Sequence, residues 1–388
     1  MVCSAPPRSG ISWRLTLLLA VACGVSVANL YYAQPLLATL AAGLGTGPGT
    51  AGLVVTFSQV GYAAGLAVLV PAGDMLERRR LVPGVLLLTA VALAGSAAAP
   101  DVGVLIALAA LVGAGSVAAQ ILVPLAASLA GDDDRGKVVG TVMSGLLIGI
   151  LLARTASGLV AGLAGWRAVY VGAAVLVTVL AAVLAWALPP ESARPRPSYP
   201  SLLRSTVALW RREPLLRRRS ALGGLGFAAF SVFWTTMAFL LAGPPYHYSE
   251  TVIGLFGLAG AAGAACAAAA TLGFAAAIAV AFVFIWLGRS SLAALLVGVV
   301  VLDIGVQGLH VTNQSLVYRL APEARSRINA CYMVCYFAGG AIGSVVAGVL
   351  YGASGWAAVS LAGAALGVAA LAVGSAPGAG RRIPPVSA

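Results

Sequence analysis

Residues 166–188 read WRAVYVGAAVLVTVLAAVLAWAL, and this stretch decides the class of fold. It lies between Gly165 and Pro189, and its one charged residue, Arg167, stands close to its start. At about 1.5 Å per residue, a helix over this stretch is long enough to cross a hydrocarbon core roughly 30 Å thick. We therefore predict that these residues form a membrane-spanning helix.

The whole chain has the composition of a membrane protein. Of its 388 residues, 61% are hydrophobic and 9% are charged, and the mean hydropathy is +1.00. A soluble fold of this length could not bury so much apolar surface. The net charge of +12 would suit nucleic acid, but the arginines form short clusters between apolar stretches and no continuous basic face. We therefore expect no nucleic-acid partner.

Similar apolar stretches recur along the chain, six in each half. They predict an all-α integral membrane protein with twelve transmembrane helices. The expected helices cover residues 14–40, 50–72, 81–99, 102–130, 138–163, 166–188, 220–242, 251–270, 271–287, 292–318, 328–351 and 356–374.

One boundary has two interpretations, because residues 252–288 carry no charge and could form one helix or two. A single helix of that length would be about 55 Å long, well beyond the bilayer, and would leave eleven crossings. Two short helices with a tight turn near residues 270–273 fit better.

With twelve crossings, the basic loops fall on one side of the membrane. By the positive-inside rule this side is the cytoplasm, and both termini lie there. The basic segments are residues 78–80, 135–137, 194–219, 319–327 and 381–382.

The two halves resemble each other, as an internal repeat would. At a fixed offset of 190 residues, Arg135 matches Arg325 and Gly149 matches Gly339. In the same register Gly158 matches Gly348, and the pair at 165–166 matches the Gly-Trp pair at 355–356. We expect an N-terminal six-helix bundle (residues 1–188), a cytoplasmic linker (189–219) and a C-terminal six-helix bundle (220–388).

The linker has two open interpretations. Leu202, Val207 and Trp210 would share one helical face beside Arg204 and nearby arginines, which is typical of an interfacial helix ending near residue 214. A solvated loop that only fixes topology is the alternative.

Two motifs resemble those of a known family. The run Gly73-Asp74-Met75-Leu76-Glu77-Arg78-Arg79-Arg80 resembles the signature cytoplasmic loop of the major facilitator superfamily. The phrase Asn29-Leu30-Tyr31-Tyr32-Ala33-Gln34-Pro35-Leu36-Leu37 resembles the first-helix phrase of a bacterial subgroup usually described as drug or sugar exporters. Residues 152–158 and 305–315 resemble other segments of the same subgroup. The resemblance implies two six-helix bundles, related by a pseudo-two-fold axis, in the inner (cytoplasmic) membrane of a bacterium.

The chain departs from that pattern in its second half, where residues 262–287 hold no copy of the Gly-Asp-Arg loop. Gly52-Leu53 also matches Gly254-Leu255 at the larger offset of 202 residues, which indicates that about a dozen residues have been lost. The missing loop leaves open whether the C-terminal bundle gates normally.

Charged residues in the middle of a membrane are rare and cost about 2.5–3.5 kcal/mol each, so they indicate functional sites. Arg154 and Asp303 are the two clear cases. Asp303, Gln307, His310 and Gln314 follow each other at steps of four, three and four, which places them on one helical face.

In the superfamily this helix lines the central cavity, so the resemblance implies proton coupling by Asp303 with His310 and Arg154. Alternatively, Asp303 stays ionised as the permanent partner of an arginine. Arg154 could be that partner, or a fixed cation that faces an anionic substrate.

Amide and aromatic side chains are the candidates for substrate contact. Amides in a membrane must find partners, so they either bind substrate or join helices. The candidates are Asn29, Tyr32, Gln59, Gln120, Gln307, Gln314 and Trp234, and Tyr332 and Tyr336 could add aromatic walls to the site.

The loop before the third helix is the candidate for gating. Asp74 suits the positive end of a helix and could pair with an arginine in one access state, with Arg78, Arg79 and Arg80 beside it. A plain helix cap is the alternative role for Asp74.

These patterns predict a secondary transporter. More specifically, we expect proton-coupled efflux of a small amphipathic, drug-like or sugar-like compound by a monomer in the lipid bilayer. A proton-coupled uptake symporter and a transport-inactive scaffold or sensor are the alternatives. The sequence shows no zinc-site spacing, catalytic triad or phosphate-binding glycine loop, so we expect no metal, cofactor or enzyme activity.

Overall fold

The computed structural model describes residues 11–73, 75–131, 134–190, 199–264, 271–318, 320 and 325–376. These residues form helices and connecting turns and contain no β-strand. They divide into two compact units. The first unit comprises residues 1–204 and 237–258, and the second comprises 205–236 and 259–388. The predicted domain limits at 188 and 219 stay a prediction.

The helices follow the apolar stretches of the sequence. Each is built from residues that satisfy their backbone groups within the helix, as the apolar interior of a membrane requires. Their bounds are α1 Trp13–Ala28, a 3₁₀ turn Gln34–Leu36, α2 Leu37–Gly43, α3 Pro48–Ala72, α4 Arg78–Ala97, α5 Val102–Gly115, α6 Ala118–Leu129, α7 Arg135–Ala164, α8 Trp166–Ala187, α9 Tyr199–Arg212, α10 Pro214–Ala242, α11 Glu250–Ala264, α12 Thr271–Leu287, α13 Leu292–Val317 and α14 Arg325–Ser375.

Several helices are apolar enough to cross a bilayer. Among the described residues, eight helical stretches meet the length and hydropathy of a span, and α5 with α6 count as one of them. Three shorter apolar helices lie at Trp13–Ala28, Glu250–Ala259 and Thr271–Leu287. The all-α membrane fold is therefore confirmed, and the total of twelve crossings stays a prediction.

The first predicted helix is interrupted, which corrects the expectation of one helix over residues 14–40. α1 ends at Ala28, residues 29–33 form turns, and the 3₁₀ turn follows before α2 begins at Leu37. Pro35 stands in the first turn of the 3₁₀ segment and has no N–H to donate, which disfavours continuation of a regular α-helix at this position. The interruption therefore falls on the phrase at residues 29–37.

The middle of the chain shows two further features. α9 covers Tyr199–Arg212 as a strongly amphipathic helix, as the interfacial interpretation of the linker expects. α10 begins at Pro214, six residues earlier than predicted, so Arg217, Arg218 and Arg219 are helical. Proline is favoured in the first turn of a helix because its missing N–H is not needed there.

The internal repeat is visible in close helix contacts within each unit. In the first unit, a Cβ placed on Gly149 of α7 would lie 2.3 Å from the carbonyl oxygen of Gly24 on α1. In the second unit, a Cβ placed on Gly339 of α14 would lie 2.2 Å from the carbonyl oxygen of Gly224 on α10. Gly149 and Gly339 are a pair that the 190-residue offset predicts, so each half uses the same position for a backbone contact.

The Gly-Trp pairs also correspond. Gly165 separates α7 from α8 with φ 80°, and Gly355 interrupts the helical path inside α14 with φ 68°. Glycine adopts this left-handed region without the steric cost that other residues meet. The tryptophan after each of them is buried. α14 therefore consists of two helical segments, as the sequence predicts.

Candidate functional site

In the first unit, the predicted site is built around Arg154 on α7. Its side chain is only 4% exposed. The Nε atom donates a hydrogen bond of 2.7 Å to Oε1 of Gln34, and the guanidinium carbon lies 4.8 Å from the centre of the Tyr31 ring. A cation over an aromatic face is stabilised by the negative face of the ring. Arg154 is thus held by the interrupted segment between α1 and α2.

The same segment is tied to α7 one turn further along. Ser157, three residues after Arg154, donates from its hydroxyl to the backbone oxygen of Tyr32 at 2.7 Å. Residues three apart on a helix share a face, so both side chains reach the same segment. Asn29 caps the end of α1, and its Nδ2 donates to the carbonyl of Ser26 at 3.2 Å. The phrase at residues 29–37 therefore forms a buried wall beside α7 that contains Asn29 and Tyr32.

Two further predicted amides also lie in the first unit. Gln120 on α6 donates from Nε2 to the hydroxyl of Tyr62 on α3 at 3.2 Å, so it joins two helices. Gln59 is also on α3 and is buried, at 3% exposure. These contacts fit the helix-joining role of membrane amides as well as the substrate role.

A seam of small residues between α7 and α11 borders Arg154 in the first unit. Thr155 donates to the carbonyl of Gly254 at 3.1 Å, and Thr251 donates to the carbonyl of Gly158 at 3.3 Å. A Cβ on Gly158 would lie 3.0 Å from the Cα of Gly254, so the two backbones are close. Gly254 is also near the backbone of Arg154. The seam fixes the backbone that carries Arg154.

In the second unit, the four polar residues predicted to share one helical face lie on α13. We call this face, with Asp303, Gln307, His310 and Gln314, the stripe. Asp303 is 5% exposed, while Gln307, His310 and Gln314 are partly exposed. All four belong to one uninterrupted helix, so their spacing places them on one face.

The C-terminal part of this stripe, with His310 and Gln314, contacts α14. Nδ1 of His310 lies 3.0 Å from the hydroxyl of Tyr332, and the His310 ring is 4.6 Å from the Tyr336 ring, centre to centre. Gln314 donates from Nε2 to Oδ1 of Asn329 at 3.1 Å. The stripe thus brings His310 together with the aromatic side chains that the sequence singled out, and Gln314 together with Asn329.

Trp234 lies elsewhere in the second unit. It is fully buried, and its ring centre is 5.2 Å from that of Phe233 and 5.9 Å from that of Phe230. Such edge and tilted contacts are typical of an aromatic core. Trp234 thus packs against other aromatic rings, and its substrate contact stays a prediction.

Two of the three predicted gating arginines contact the ends of helices. Arg78 is 8% exposed and donates from Nε to the carbonyl of Gly73 at 3.0 Å, at the end of α3. Arg79 donates to the carbonyl of Ala185 near the end of α8 at 3.4 Å, and Arg80 pairs with Glu77 at 3.2 Å. A cation is favourable at the negative end of a helix. Asp74 lies outside the described residues.

Sequence reasoning missed partners that stand far away in the chain. Gln34 belongs to the phrase at residues 29–37 but is not among the predicted site residues. Asn313 and Asn329 are not among them either. Within the described parts of the chain, no group of three or more His, Cys, Asp or Glu side chains could hold a metal ion.

Comparisons with known proteins agree with this architecture. The family model described as Major Facilitator Superfamily matches residues 19–272. The chain is 48% identical over 379 residues to the uncharacterized transporter YgaY of Escherichia coli O157:H7, a match that covers 95% of this chain and 96% of that protein. It is 38% identical over 365 residues to SCO4007 of Streptomyces coelicolor (strain ATCC BAA-471 / A3(2) / M145), a protein named as a transporter, with 90% of this chain and 85% of that protein covered.

A solved structure shows the same fold. It is the bacterial homologue of the human lysosomal transporter Spinster in an inward-facing and occupied conformation. The TM-score is 0.73 with 13% identity, and the match covers 95% of each chain. At this identity the likeness supports the fold alone, whereas the family match and the closely similar transporters concern the sequence itself. The chain therefore belongs to the major facilitator superfamily and is a multi-pass membrane transporter.

Proposed function

We propose that this protein exports a small amphipathic, drug-like or sugar-like compound in exchange for protons. The observation that carries the proposal is the buried carboxylate of Asp303 on the polar stripe of α13, with His310 two turns further along. A carboxylate at membrane depth must gain a proton or a compensating contact, and either event can be linked to access from one side. In this proposal Asp303 carries the proton and His310 assists it.

The other predicted residues take substrate and gating roles in this proposal. Arg154, held by Gln34, provides a fixed positive charge beside the wall of Asn29 and Tyr32. Gln59, Gln120, Gln307 and Gln314 provide amide contacts, and the arginines at the start of α4 control access with Asp74. Trp234 supports these helices by packing, and its substrate contact stays a prediction.

The proposed setting is the inner membrane of a bacterium, with twelve crossings, a monomer, and both termini in the cytoplasm. The arginine clusters between the apolar stretches support this orientation. Two six-helix bundles rocking about a midplane site would give alternating access. The direction of transport is inferred from the resemblance of residues 29–37 to exporters.

The experiment that tests proton exchange uses inverted membrane vesicles with a pH-sensitive fluorescent dye. A panel of compounds is added to vesicles that contain wild type, Asp303→Asn or Asp134→Asn. Asp134 is exposed at the start of α7, so its change to Asn is a control for the same chemical change at the surface. We expect some compound to release protons in wild type and in Asp134→Asn, and not in Asp303→Asn.

Other results would change the assignment. Equal proton release in Asp303→Asn and wild type would remove Asp303 from coupling. Proton movement in the same direction as the compound would support a symporter. If folded wild type responds to no compound, single cysteines at positions 32 and 303 distinguish the remaining cases. Labelling that never changes with added compounds would support a scaffold or sensor.

A further inference from the structure

Arg219 lies on α10, within the second unit. One terminal nitrogen of its guanidinium is 3.1 Å from Oγ1 of Thr271 on α12 and 3.3 Å from Oδ1 of Asn313 on α13. Both partners are neutral. Three helices of the same unit therefore meet around this guanidinium.

The charge of Arg219 has no carboxylate partner among the described residues. Asp303 is on the same helix as Asn313 but ten residues away, which corresponds to about 15 Å along the axis. The neighbouring side chain, Arg218, is another cation and donates to carbonyl oxygens at the end of α14. The positive charge at Arg219 is therefore balanced by neutral acceptors only.

Two buried donors at this place lack a hydrogen-bond partner of good geometry among the described residues. They are Nε of Arg219 and Nδ2 of Asn313, and the Asn313 side chain is fully buried. Buried donors are almost always paired in proteins, so an exception requires an explanation. The two side chains, Arg219 and Asn313, contact each other. The two unpaired donors therefore lie in one small region.

The surroundings add a hydroxyl group to this region. A Cβ placed on Gly223, one helical turn after Arg219, would lie 2.7 Å from the hydroxyl of Tyr332. The absence of a side chain at Gly223 thus lets Tyr332 approach α10. The same hydroxyl is 3.0 Å from Nδ1 of His310, so the region is adjacent to the stripe on α13.

A guanidinium with unused N–H donors and a nearby hydroxyl has the chemistry that recognises an oxyanion. Arginine binds carboxylate and phosphate groups through two parallel hydrogen bonds, and such charge-assisted bonds are stronger than neutral ones. A neutral sugar or an amine would leave the positive charge without compensation. The ligand chemistry that fits is therefore a carboxylate or a phosphate.

We propose that Arg219 and Asn313 bind the carboxylate or phosphate group of the transported compound, with Tyr332 beside them. This proposal rests on the proposed transport function for the statement that the anion is a transported compound. It narrows the substrate class from amphipathic or sugar-like compounds to those that carry an oxyanion. The contact between Tyr332 and His310 places anion binding next to a predicted proton-coupling residue.

The test measures binding to purified full-length protein in an uncharged detergent, without any ion gradient. Thermal unfolding is followed with gluconate, succinate, benzoate or inorganic phosphate at constant ionic strength, with chloride as the reference salt and glucose as the neutral analogue of gluconate. A ligand that binds only the folded protein raises the unfolding temperature as its concentration rises. We expect at least one oxyanion, and not glucose, to stabilise wild type.

The matched variants are Arg219→Gln and Arg217→Gln. Arg217 is exposed and two residues away, so its substitution removes the same charge from the same end of α10. We expect Arg217→Gln to bind like wild type and Arg219→Gln to bind roughly 10- to 100-fold more weakly, as loss of a hydrogen bond to a charged group implies. If Arg219→Gln does not fold, Asn313→Asp tests the same site, because its carboxylate would pair with Arg219 and exclude the added anion.

The outcomes separate this proposal from the proposed transport function. Equal stabilisation of wild type and both Arg219→Gln and Asn313→Asp, or no stabilisation of wild type by any oxyanion, would overturn it. Addition of phosphatidylglycerol forms a separate arm. Arg219-dependent stabilisation by this lipid alone would assign the site to a lipid headgroup and overturn the assignment to a transported compound. Proton exchange is measured in vesicles and can succeed or fail independently.

Discussion

Arg154 on α7 and Gln34, 120 residues earlier in the chain, are joined by a hydrogen bond of 2.7 Å between Nε and Oε1. Both side chains are buried, with 4% and 1% exposure. The bond connects the interrupted segment after α1 to the middle of α7, and Ser157 adds a second connection to the same segment. Arg154 is thereby oriented by the neutral side chain of Gln34.

This relationship predicts an energetic coupling between the two residues. Gln34→Ala and Arg154→Ala should each destabilise the protein, and the double variant should be more stable than the sum of the two effects predicts. We expect a coupling free energy of about 0.5–2 kcal/mol, the range for hydrogen bonds between membrane helices. The measurement is reversible unfolding in detergent micelles. A coupling free energy of zero would show that the bond contributes nothing to stability.

The glycine contacts of the repeat predict opposite effects of the same substitution at different positions. Gly149→Ala and Gly339→Ala place a Cβ within 2.3 Å and 2.2 Å of a backbone oxygen, so both should destabilise by about 1–3 kcal/mol. Gly172→Ala on α8 meets no atom within 4 Å and should be neutral or stabilise, because alanine favours a helix by up to about 1 kcal/mol over glycine.

The melting temperature of each variant is measured in mild detergent. Samples are heated, and the protein that remains folded is quantified by size-exclusion chromatography with fluorescence detection. Equal melting temperatures for Gly149→Ala and Gly172→Ala would contradict the close contact between α1 and α7.

Burial of Trp234 predicts that its role is packing. Trp234→Ala should destabilise the protein by about 3–5 kcal/mol, whereas Trp234→Phe keeps an aromatic ring beside Phe233 and should cost less. Transport by Trp234→Phe should approach that of wild type once the amount of folded protein is matched. A variant that is as stable as wild type but loses transport would instead support a substrate contact.

The arginines at the start of α4 predict a contrast between a buried and an exposed cation. Arg78 is buried against the end of α3, so Arg78→Gln should cost about 1–3 kcal/mol and reduce transport. The side chain of Arg80 is 88% exposed and pairs with Glu77, so Arg80→Gln should change stability by less than about 0.5 kcal/mol. Thermal unfolding and transport assays of both variants check this order, which would be refuted by equal effects.

The long apolar stretches made the helical class of this fold predictable. Length and hydropathy decide where a helix can span a membrane, and the offset of 190 residues predicted which glycines correspond. Gly165 and Gly355 show the same left-handed backbone, and Gly149 and Gly339 make the same kind of contact. These features depend on local sequence or on its repetition, so they are visible in one sequence.

The partners of the polar side chains were less predictable. The sequence singled out Arg154 but not Gln34, because the two are brought together by packing of α1 and α7 and not by spacing along one helix. The break after Ala28 was missed because residues 29–37 remain apolar enough to extend a helix. Arg219 was assigned to a basic loop, since its contacts with Thr271 and Asn313 come from distant helices.

The paired glycines carry a consequence for how this sequence can diverge. Every substitution of Gly24 or Gly149 in one half, or of Gly224 or Gly339 in the other, adds atoms where two backbones already touch. A change in one half cannot be offset by a change in the other, because the two contacts join different pairs of helices, α1 with α7 and α10 with α14. Mutational tolerance should therefore be low at the same two places in each half, and an evolving lineage can change its polar residues and its cargo long before it can change these four glycines.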